Sequence, residues 1–309
     1  MLVLHFFFLA VSIFVLVKSA GYFTSSAEKI GLYFKLPPFI VGVTIVSVGT
    51  SLPELITSVF AIAESQSPIV IGNVVGSNIA NIFLVLGLSS IVSGGLSTEH
   101  DVMKVDLPMI AASAFLLYIC SYDGVFDFKE GLLFIFALTV YMFYAAKSKK
   151  SELEEAEIVE KIGIKTILVL FVSIVFLDLS AKYTVYNVVV ISKLLNISTA
   201  AVAASVVALG TSLPELMVSV HAAKRGNLEM SIGNVIGSNI FNTFGIMGVS
   251  SFVGRIFIDR QTIHLDLPVM VMATLLLVFS LQNKAMSRWM GYIFLLFYAL
   301  YIFKLFGGM

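Results

Sequence analysis

Apolar residues fill this chain in long runs that are separated by short polar segments. Most runs are roughly 17–30 residues long, and about 20 apolar residues in a helix cross a hydrocarbon layer about 30 Å thick. The pattern predicts ten membrane spans, at 2–33, 38–63, 68–93, 105–121, 126–146, 163–195, 198–222, 229–253, 263–281 and 287–306. We therefore predict an all-α membrane protein with ten transmembrane helices.

Composition agrees with this pattern and excludes several classes. The mean hydropathy is +1.00, and 12% of the residues are charged, against about 25% in soluble domains. The formal net charge of zero gives no reason to expect a nucleic-acid partner. The first span resembles a signal peptide, but it lacks a positive leading region, and Lys18 stands where a small residue should precede cleavage. We expect it to remain as a helix.

One long segment occurs twice in the chain. Residues 49–87 and 210–248 align without a gap at an offset of 161, and 21 of the 39 paired positions are identical. Further downstream, Asp106-Leu107-Pro108 matches Asp266-Leu267-Pro268 at an offset of 160. The repeat thus predicts two halves of five spans, 1–146 and 163–309. Because five is odd, the halves should enter the membrane from opposite sides, an arrangement typical of transporters.

Loop charges predict the orientation of the halves. With both termini outside, the inner loops hold twelve Lys and Arg residues and the outer loops and C-terminal end hold five, as the positive-inside rule favours. The segment 147–162 then becomes a cytoplasmic linker that carries five Glu residues. A calcium-sensing element is one interpretation of this acidic segment, and a solvated helical linker is the interpretation we favour.

An acid follows a proline at matched places in both halves, as Pro53-Glu54 and Pro214-Glu215. Carboxylates at membrane depth are costly and usually mark a functional site. Proline removes one backbone hydrogen bond, so the second and seventh helices are expected to break or kink at this motif. The carbonyls freed near 47–50 and 208–211 would then line a cavity. A kink that serves only packing is the alternative.

Oxygen atoms predominate among the polar groups near these acids. Hydroxyl, amide and backbone oxygens are available from Ser47, Thr50, Ser51, Ser77, Asn81, Ala208, Thr211, Ser212, Ser238 and Asn242. With two carboxylates, such a set suits Ca²⁺, or Na⁺ of similar size, whereas softer metals prefer Cys or His. Interhelical hydrogen bonding is an alternative role, and it fits Asn73, Asn78, Asn234 and Asn239 as well as a ligand role does.

At the motifs GTSLPE and GNVxGSNI the chain resembles the calcium:cation antiporter superfamily, and within it the prokaryotic sodium/calcium exchangers. The resemblance covers essentially the full length, with the paired alpha-repeats at 38–93 and 198–253. It implies that Glu54 and Glu215 are the central calcium ligands. It also implies that Thr50, Ser51, Ser77, Thr211, Ser212 and Ser238 complete the calcium and sodium sites. Members exchange about three Na⁺ for one Ca²⁺.

The resemblance also bears on which ions are coupled. Some relatives, including the potassium-coupled branch, have Asp where this chain has Asn242, so potassium cotransport is not expected. The proton-coupled branch typically shows GNxxE in place of GTSLPE, and an H⁺/Ca²⁺ antiporter is the second interpretation. A cation channel could use the same oxygens, and an intramembrane hydrolase could use paired carboxylates as an acid and a base.

We therefore predict a secondary active Na⁺/Ca²⁺ antiporter, not an enzyme, that works by electrogenic alternating access. It should need no cofactor beyond its transported ions and no obligatory protein partner, and it should lie in a prokaryotic cell membrane. The long first and sixth spans, with Lys18 and Lys182, are candidates for a pair that slides across the rest.

Overall fold

The structure is a computed structural model that describes residues 2–147, 162–194 and 212–305. In the first half the helices are α1 (Leu2–Tyr33), α2 (Pro38–Ala63), α3 (Ser67–Ser93), α4 (Asp106–Cys120) and α5 (Phe128–Lys147). The second half contains α6 (Ile164–Leu194), α7 (Leu213–Lys224), α8 (228–253), α9 (Thr262–Leu281) and α10 (Arg288–Leu305). Seven of these described helices are long and apolar enough to cross a membrane, and α4 is a shorter apolar helix.

The described helices agree with the predicted spans within a few residues, with one exception. The seventh predicted span covers 198–222, whereas α7 begins at Leu213 and the positions up to 211 lie outside the described residues. The same is true of most of the linker predicted at 147–162.

The predicted break of the second helix at Pro53 is wrong. Helix α2 continues through Pro53, and its irregular part is a π-helical turn at Gly42–Val46. The Thr50 hydroxyl bonds to the carbonyls of Val46 at 3.1 Å and Ser47 at 3.3 Å. Neither is the carbonyl that Pro53 leaves without a donor, which is that of Gly49, so the loss of this one bond does not interrupt the helix.

Four short strands, which the sequence pattern did not predict, join the two halves. Strand β1 (Gly95–Ser97) pairs antiparallel with β4 (Ala285–Ser287), and β2 (Val125–Phe126) pairs antiparallel with β3 (Ile256–Phe257). Strands β1 and β2 lie before and after α4 along the chain. The repeat offsets make β1 equivalent to β3 and β2 equivalent to β4, so exchanging the halves exchanges the two sheets.

Several hydrogen bonds also occur once in each half. Tyrosine hydroxyls donate to buried aspartates, and asparagine amides donate to serine hydroxyls, at equivalent positions. These bonds are Tyr141–Asp106 at 2.8 Å, Tyr301–Asp266 at 3.1 Å, Asn73–Ser58 at 3.3 Å and Asn234–Ser219 at 2.8 Å. The duplicated sequence thus builds duplicated contacts.

Helices α1 and α6 pack against each other and form a hydrophobic cluster separate from the main core. Phe23 and Leu177 of this cluster meet Val46 of α2 and Val218 of α7. The outer faces of both helices carry many exposed apolar side chains, including Phe14. The larger cluster unites helices α2–α5 with α7–α10. The α1–α6 pair is therefore a layer placed on one side of the core, next to the proline-glutamate motifs.

Candidate functional site

The two predicted acids come from opposite halves and are both buried. Glu54 lies in the middle of α2 and is 3% exposed, and Glu215 lies in the first turn of α7 and is 1% exposed. The Ser51 hydroxyl donates to Glu215 Oε1 at 3.2 Å. This bond joins the two copies of the motif directly, so the fold brings the duplicated signatures to one place.

Most candidate oxygens at this place have no hydrogen-bond partner within the described part of the chain. Both carboxylate oxygens of Glu54 and Oε2 of Glu215 are buried without a donor. The same holds for both polar side-chain atoms of Asn81, the hydroxyls of Ser212 and Ser238, and Oδ1 of Asn242. Burial of unpaired polar atoms is costly. A bound cation would satisfy those unpaired oxygens that face it, and this makes them candidate ligands.

The amide of Asn242 is oriented by a neighbour on the facing helix. Its Nδ2 donates to Asn78 Oδ1 at 3.2 Å, and Asn78 Nδ2 donates to the Thr243 hydroxyl at 2.9 Å. Because the amide nitrogen is held, the carbonyl oxygen of Asn242 is the atom left available. Asn78 thus acts as a hydrogen-bonding residue that positions a candidate ligand.

The remaining asparagines of the two motifs also make side-chain hydrogen bonds. Asn73 and Asn234 donate to serines as described above, and Asn239 donates to the Val235 carbonyl at 2.7 Å. In addition, the Thr50 hydroxyl lies 3.4 Å from Asn234 Oδ1. The contacts of Asn73, Asn78 and Asn234 support the interhelical hydrogen-bonding role, whereas Asn239 bonds within α8 and its Oδ1 has no partner among the described residues.

Close helix packing places the backbone of α2 beside α8. A Cβ added to Gly237 would lie 2.5 Å from the Val43 carbonyl and 2.6 Å from the Ser47 hydroxyl. Ser47, whose hydroxyl donates to Val43, is fully buried there, and Ser77 is buried on α3. Thr211 and Ala208, the remaining predicted ligands, lie outside the described residues.

A cavity of about 400 Å³ leads to Glu54 from the α6 side. Its walls include Pro53 and Thr57 of α2 and Pro214 of α7. Helix α6 contributes an ion pair, with Lys182 Nζ 2.8 Å from Asp178 Oδ2. Asp178 is not among the site residues predicted from the sequence, although an acid four residues before Lys182 inside an apolar span is a detectable signal.

The donor set has few charged members. Among the described residues there is no group of three or more His, Cys, Asp or Glu side chains that could hold a metal ion. The site therefore combines two carboxylates with neutral oxygens, a composition that fits a hard cation better than a transition metal.

Comparison with known proteins identifies the family. The sequence profile described as "Sodium/calcium exchanger protein" matches residues 4–147 and 165–307, which is most of the chain. The chain belongs to the sodium/calcium exchanger family. The resemblance inferred from the two motifs is thereby confirmed. The chain is accordingly an integral membrane protein of a transporter family and not an enzyme.

Individual relatives of this sodium/calcium exchanger match it over nearly their whole length. It is 31% identical to the sodium/calcium exchanger MaX1 of Methanosarcina acetivorans, with 99% of each chain covered. It is 32% identical to an uncharacterised membrane protein of Methanocaldococcus jannaschii, again with 99% of each covered. A solved structure of the sodium-calcium exchanger NCX_Mj, soaked with zero Na⁺ and Ca²⁺, superposes with a TM-score of 0.85 at 30% identity, covering 99% of this chain and 100% of that one.

Proposed function

We propose that this sodium/calcium exchanger moves Ca²⁺ across the membrane in exchange for Na⁺. One observation carries the proposal: two buried carboxylates, one from each half, hold three oxygens without a partner among the described residues, and Ser51 of the first half donates to Glu215 of the second. Two negative charges neutralise one Ca²⁺, and the same oxygens accept Na⁺. Binding of the two ions is then mutually exclusive, as antiport requires.

The proposed ligand set extends over both halves. It comprises Glu54 and Glu215 with oxygens of Ser47, Thr50, Ser51, Ser77, Asn81, Ala208, Thr211, Ser212, Ser238 and Asn242. The unpaired atoms of Asn81, Ser212, Ser238 and Asn242 support this set, because a buried polar atom without a partner is uncommon in proteins. Asn242 offers a neutral amide rather than a third carboxylate, in keeping with a site that does not require K⁺.

We further propose ten spans in two inverted halves, with alternating access to the single site. The pairing of the short strands supports inverted halves. Strands β1 and β2 lie before and after α4, and the strand equivalent to β1, which is β3, pairs with β2 and not with the partner of β1. Equivalent strands therefore belong to different sheets. The packing of α1 against α6 supports a mobile pair, because the cluster that they form, which also includes residues of α2, α7 and α8, is separate from the main core. The cytoplasmic linker at 147–162 and both termini outside complete the proposed topology in a prokaryotic cell membrane.

Charge balance predicts electrogenic exchange. Three Na⁺ on two carboxylates carry a net charge of +1, whereas one Ca²⁺ leaves the site neutral. The membrane potential would then act on the sodium-loaded form at about 2.3 kcal/mol per charge per 100 mV. An imposed potential should change the rate, and a rate that ignores voltage would contradict the 3:1 count.

The deciding experiment is radioactive Ca²⁺ uptake by purified protein in proteoliposomes. Uptake should require an outward Na⁺ gradient and should stay at the level of protein-free vesicles with K⁺ or H⁺ gradients. Uptake driven by a proton gradient would favour an H⁺/Ca²⁺ antiporter. Uptake with no cation on the inner side would favour a channel.

A further inference from the structure

An ion pair lies in the membrane-spanning part of α6, outside the proposed ligand set. The Asp178 carboxylate is 23% exposed, the Lys182 side chain is 63% exposed, and their charged atoms are 2.8 Å apart. Charged side chains within a transmembrane helix are costly and commonly mark ion pathways.

The pair faces the cavity that reaches Glu54. Asp178, Lys182 and Glu54 line the same space of about 400 Å³. Glu54 is 3% exposed, and neither of its carboxylate oxygens has a hydrogen-bond partner among the described residues. A cation inside this cavity would face the carboxylates of both Asp178 and Glu54.

The pair is absent from the other half of the repeat. At the offset of 161, the positions equivalent to Asp178 and Lys182 on α1 are Val17 and Gly21. A charge pair that belonged to the common architecture would recur there. The pair is therefore not part of the architecture that the two halves share.

We propose that Asp178 is a cation-docking group on the route to Glu54, and that Lys182 neutralises it until Na⁺ or Ca²⁺ arrives. The inference rests on the proposed function, since it names a step that precedes binding at the central site. The Lys182 ammonium lies on a flexible and largely exposed stem, so it can move away from the carboxylate when a cation takes its place. A fixed negative charge that lines a cavity raises the local concentration of cations.

The test compares Asp178→Asn, Lys182→Gln and the double variant in sodium-loaded proteoliposomes. Asp178→Asn should raise the half-saturating Ca²⁺ concentration roughly threefold or more, because the attracting charge is gone. Lys182→Gln should lower it by a similar factor, because Asp178 is then free of its competitor. The double variant should behave like Asp178→Asn. A misfolded protein would not produce the gain expected for Lys182→Gln.

A second ion pair provides the matched control. Lys104 Nζ lies 3.2 Å from Asp101 Oδ2, with side chains 74% and 39% exposed, and neither residue lines the cavity. Asp101→Asn and Lys104→Gln should leave the half-saturating concentration unchanged.

Two results would overturn the docking role. If both single substitutions raised the half-saturating concentration and the double variant restored it, the pair would be purely structural. If none of the three changed it, the route would not use Asp178. Either result with a wild type that exchanges normally leaves the proposed function intact, whereas a wild type without exchange removes both.

Discussion

The two halves place the same Pro-Glu pair in different surroundings. Glu215 stands in the first turn of α7, where a proline needs no backbone donor and a carboxylate is favoured by the helix dipole, and it accepts a hydrogen bond from Ser51. Glu54 lies in mid-helix, lines the cavity and has no such bond, although Ser212 is the repeat equivalent of Ser51. One carboxylate is held by the opposite half and the other is presented to the access route. A duplicated sequence has thus produced an asymmetric site.

The largest expected effect comes from removing either charge. Glu54→Gln and Glu215→Gln keep the size of the side chain but leave a single carboxylate, which is too little charge to neutralise Ca²⁺ in a buried site. Both variants should reduce sodium-driven Ca²⁺ uptake to the level of protein-free vesicles. Radioactive Ca²⁺ flux in proteoliposomes measures this directly.

Glu64→Gln is the matched control for this pair of substitutions. Glu64 caps the end of the same helix α2 and is exposed, so its replacement should leave uptake near the wild-type rate. If only one of the two site variants lost uptake, the carboxylate replaced in the other variant would not be a ligand. Glu54 and Glu215 would then differ in function as well as in their surroundings.

Much of this architecture could be predicted because the chemistry of the bilayer leaves few solutions. A carboxylate inside an apolar run is costly and therefore indicates a functional site. Its repetition at an offset of 161 identifies Glu54 and Glu215 as site residues from the sequence alone. Asp178 was missed because repetition was the main criterion for a site residue, and Asp178 has no repeat partner. The continuity of α2 through Pro53 was not predicted, because a proline in the sequence indicates one lost hydrogen bond but not whether the helix resumes beyond it.

The short strands were beyond prediction for a different reason. Strand β2 has two residues and β1 has three, which is too short for an alternating pattern to emerge. Their pairing joins segments more than 100 residues apart. Only the packed helices bring such segments together.

Helix packing gives the second prediction. A methyl group at Gly237 would lie 2.5 Å from the backbone carbonyl of Val43, whereas a methyl group at Gly76 meets nothing within 4 Å among the described residues. Gly237→Ala should therefore destabilise the protein by about 1–3 kcal/mol. Gly76→Ala should have little effect or stabilise slightly, since Ala is the better helix former. Thermal unfolding in detergent compares them.

The outcome at Gly76 tests the symmetry of the packing. By the repeat, the contacts of Gly237 with Val43 would correspond to contacts of Gly76 with residue 204, which lies outside the described residues. An equal loss for Gly76→Ala would mean that the two halves pack alike. A large difference in stability between the two variants would mean that the helices around the site also pack asymmetrically.

The hydroxyl groups of the motif give a smaller effect. Ser51→Ala removes the donor to Glu215, and a hydrogen bond to a charged group contributes about 1.5–3 kcal/mol. We expect the half-saturating Ca²⁺ concentration to rise about tenfold or more. Ser212→Ala, whose hydroxyl bonds to no described residue, should raise it less, about threefold. Equal shifts of the half-saturating concentration in the two variants would show that Ser51 and Ser212 contribute equally once a cation is bound.

The smallest effect concerns the duplicated tyrosine–aspartate bonds away from the site. Asp106 contacts both the Tyr141 hydroxyl and His100 Nε2, at 2.8 and 3.0 Å, whereas the side chain of Asp266 bonds only to Tyr301 within the described structure. Tyr301→Phe should therefore lower the free energy of unfolding by about 1–2 kcal/mol, and Tyr141→Phe by about half as much.

Thermal unfolding of the two variants beside Tyr122→Phe, an exposed tyrosine, separates this effect from the loss of any hydroxyl. A larger loss for Tyr141→Phe would mean that His100 does not support Asp106 once its tyrosine partner is gone. The deeper burial of Asp106, which is fully enclosed while Asp266 is 9% exposed, would then outweigh the second partner. In that case the burial of the aspartate, rather than its number of hydrogen bonds, would determine how much each tyrosine–aspartate bond contributes to the free energy of unfolding.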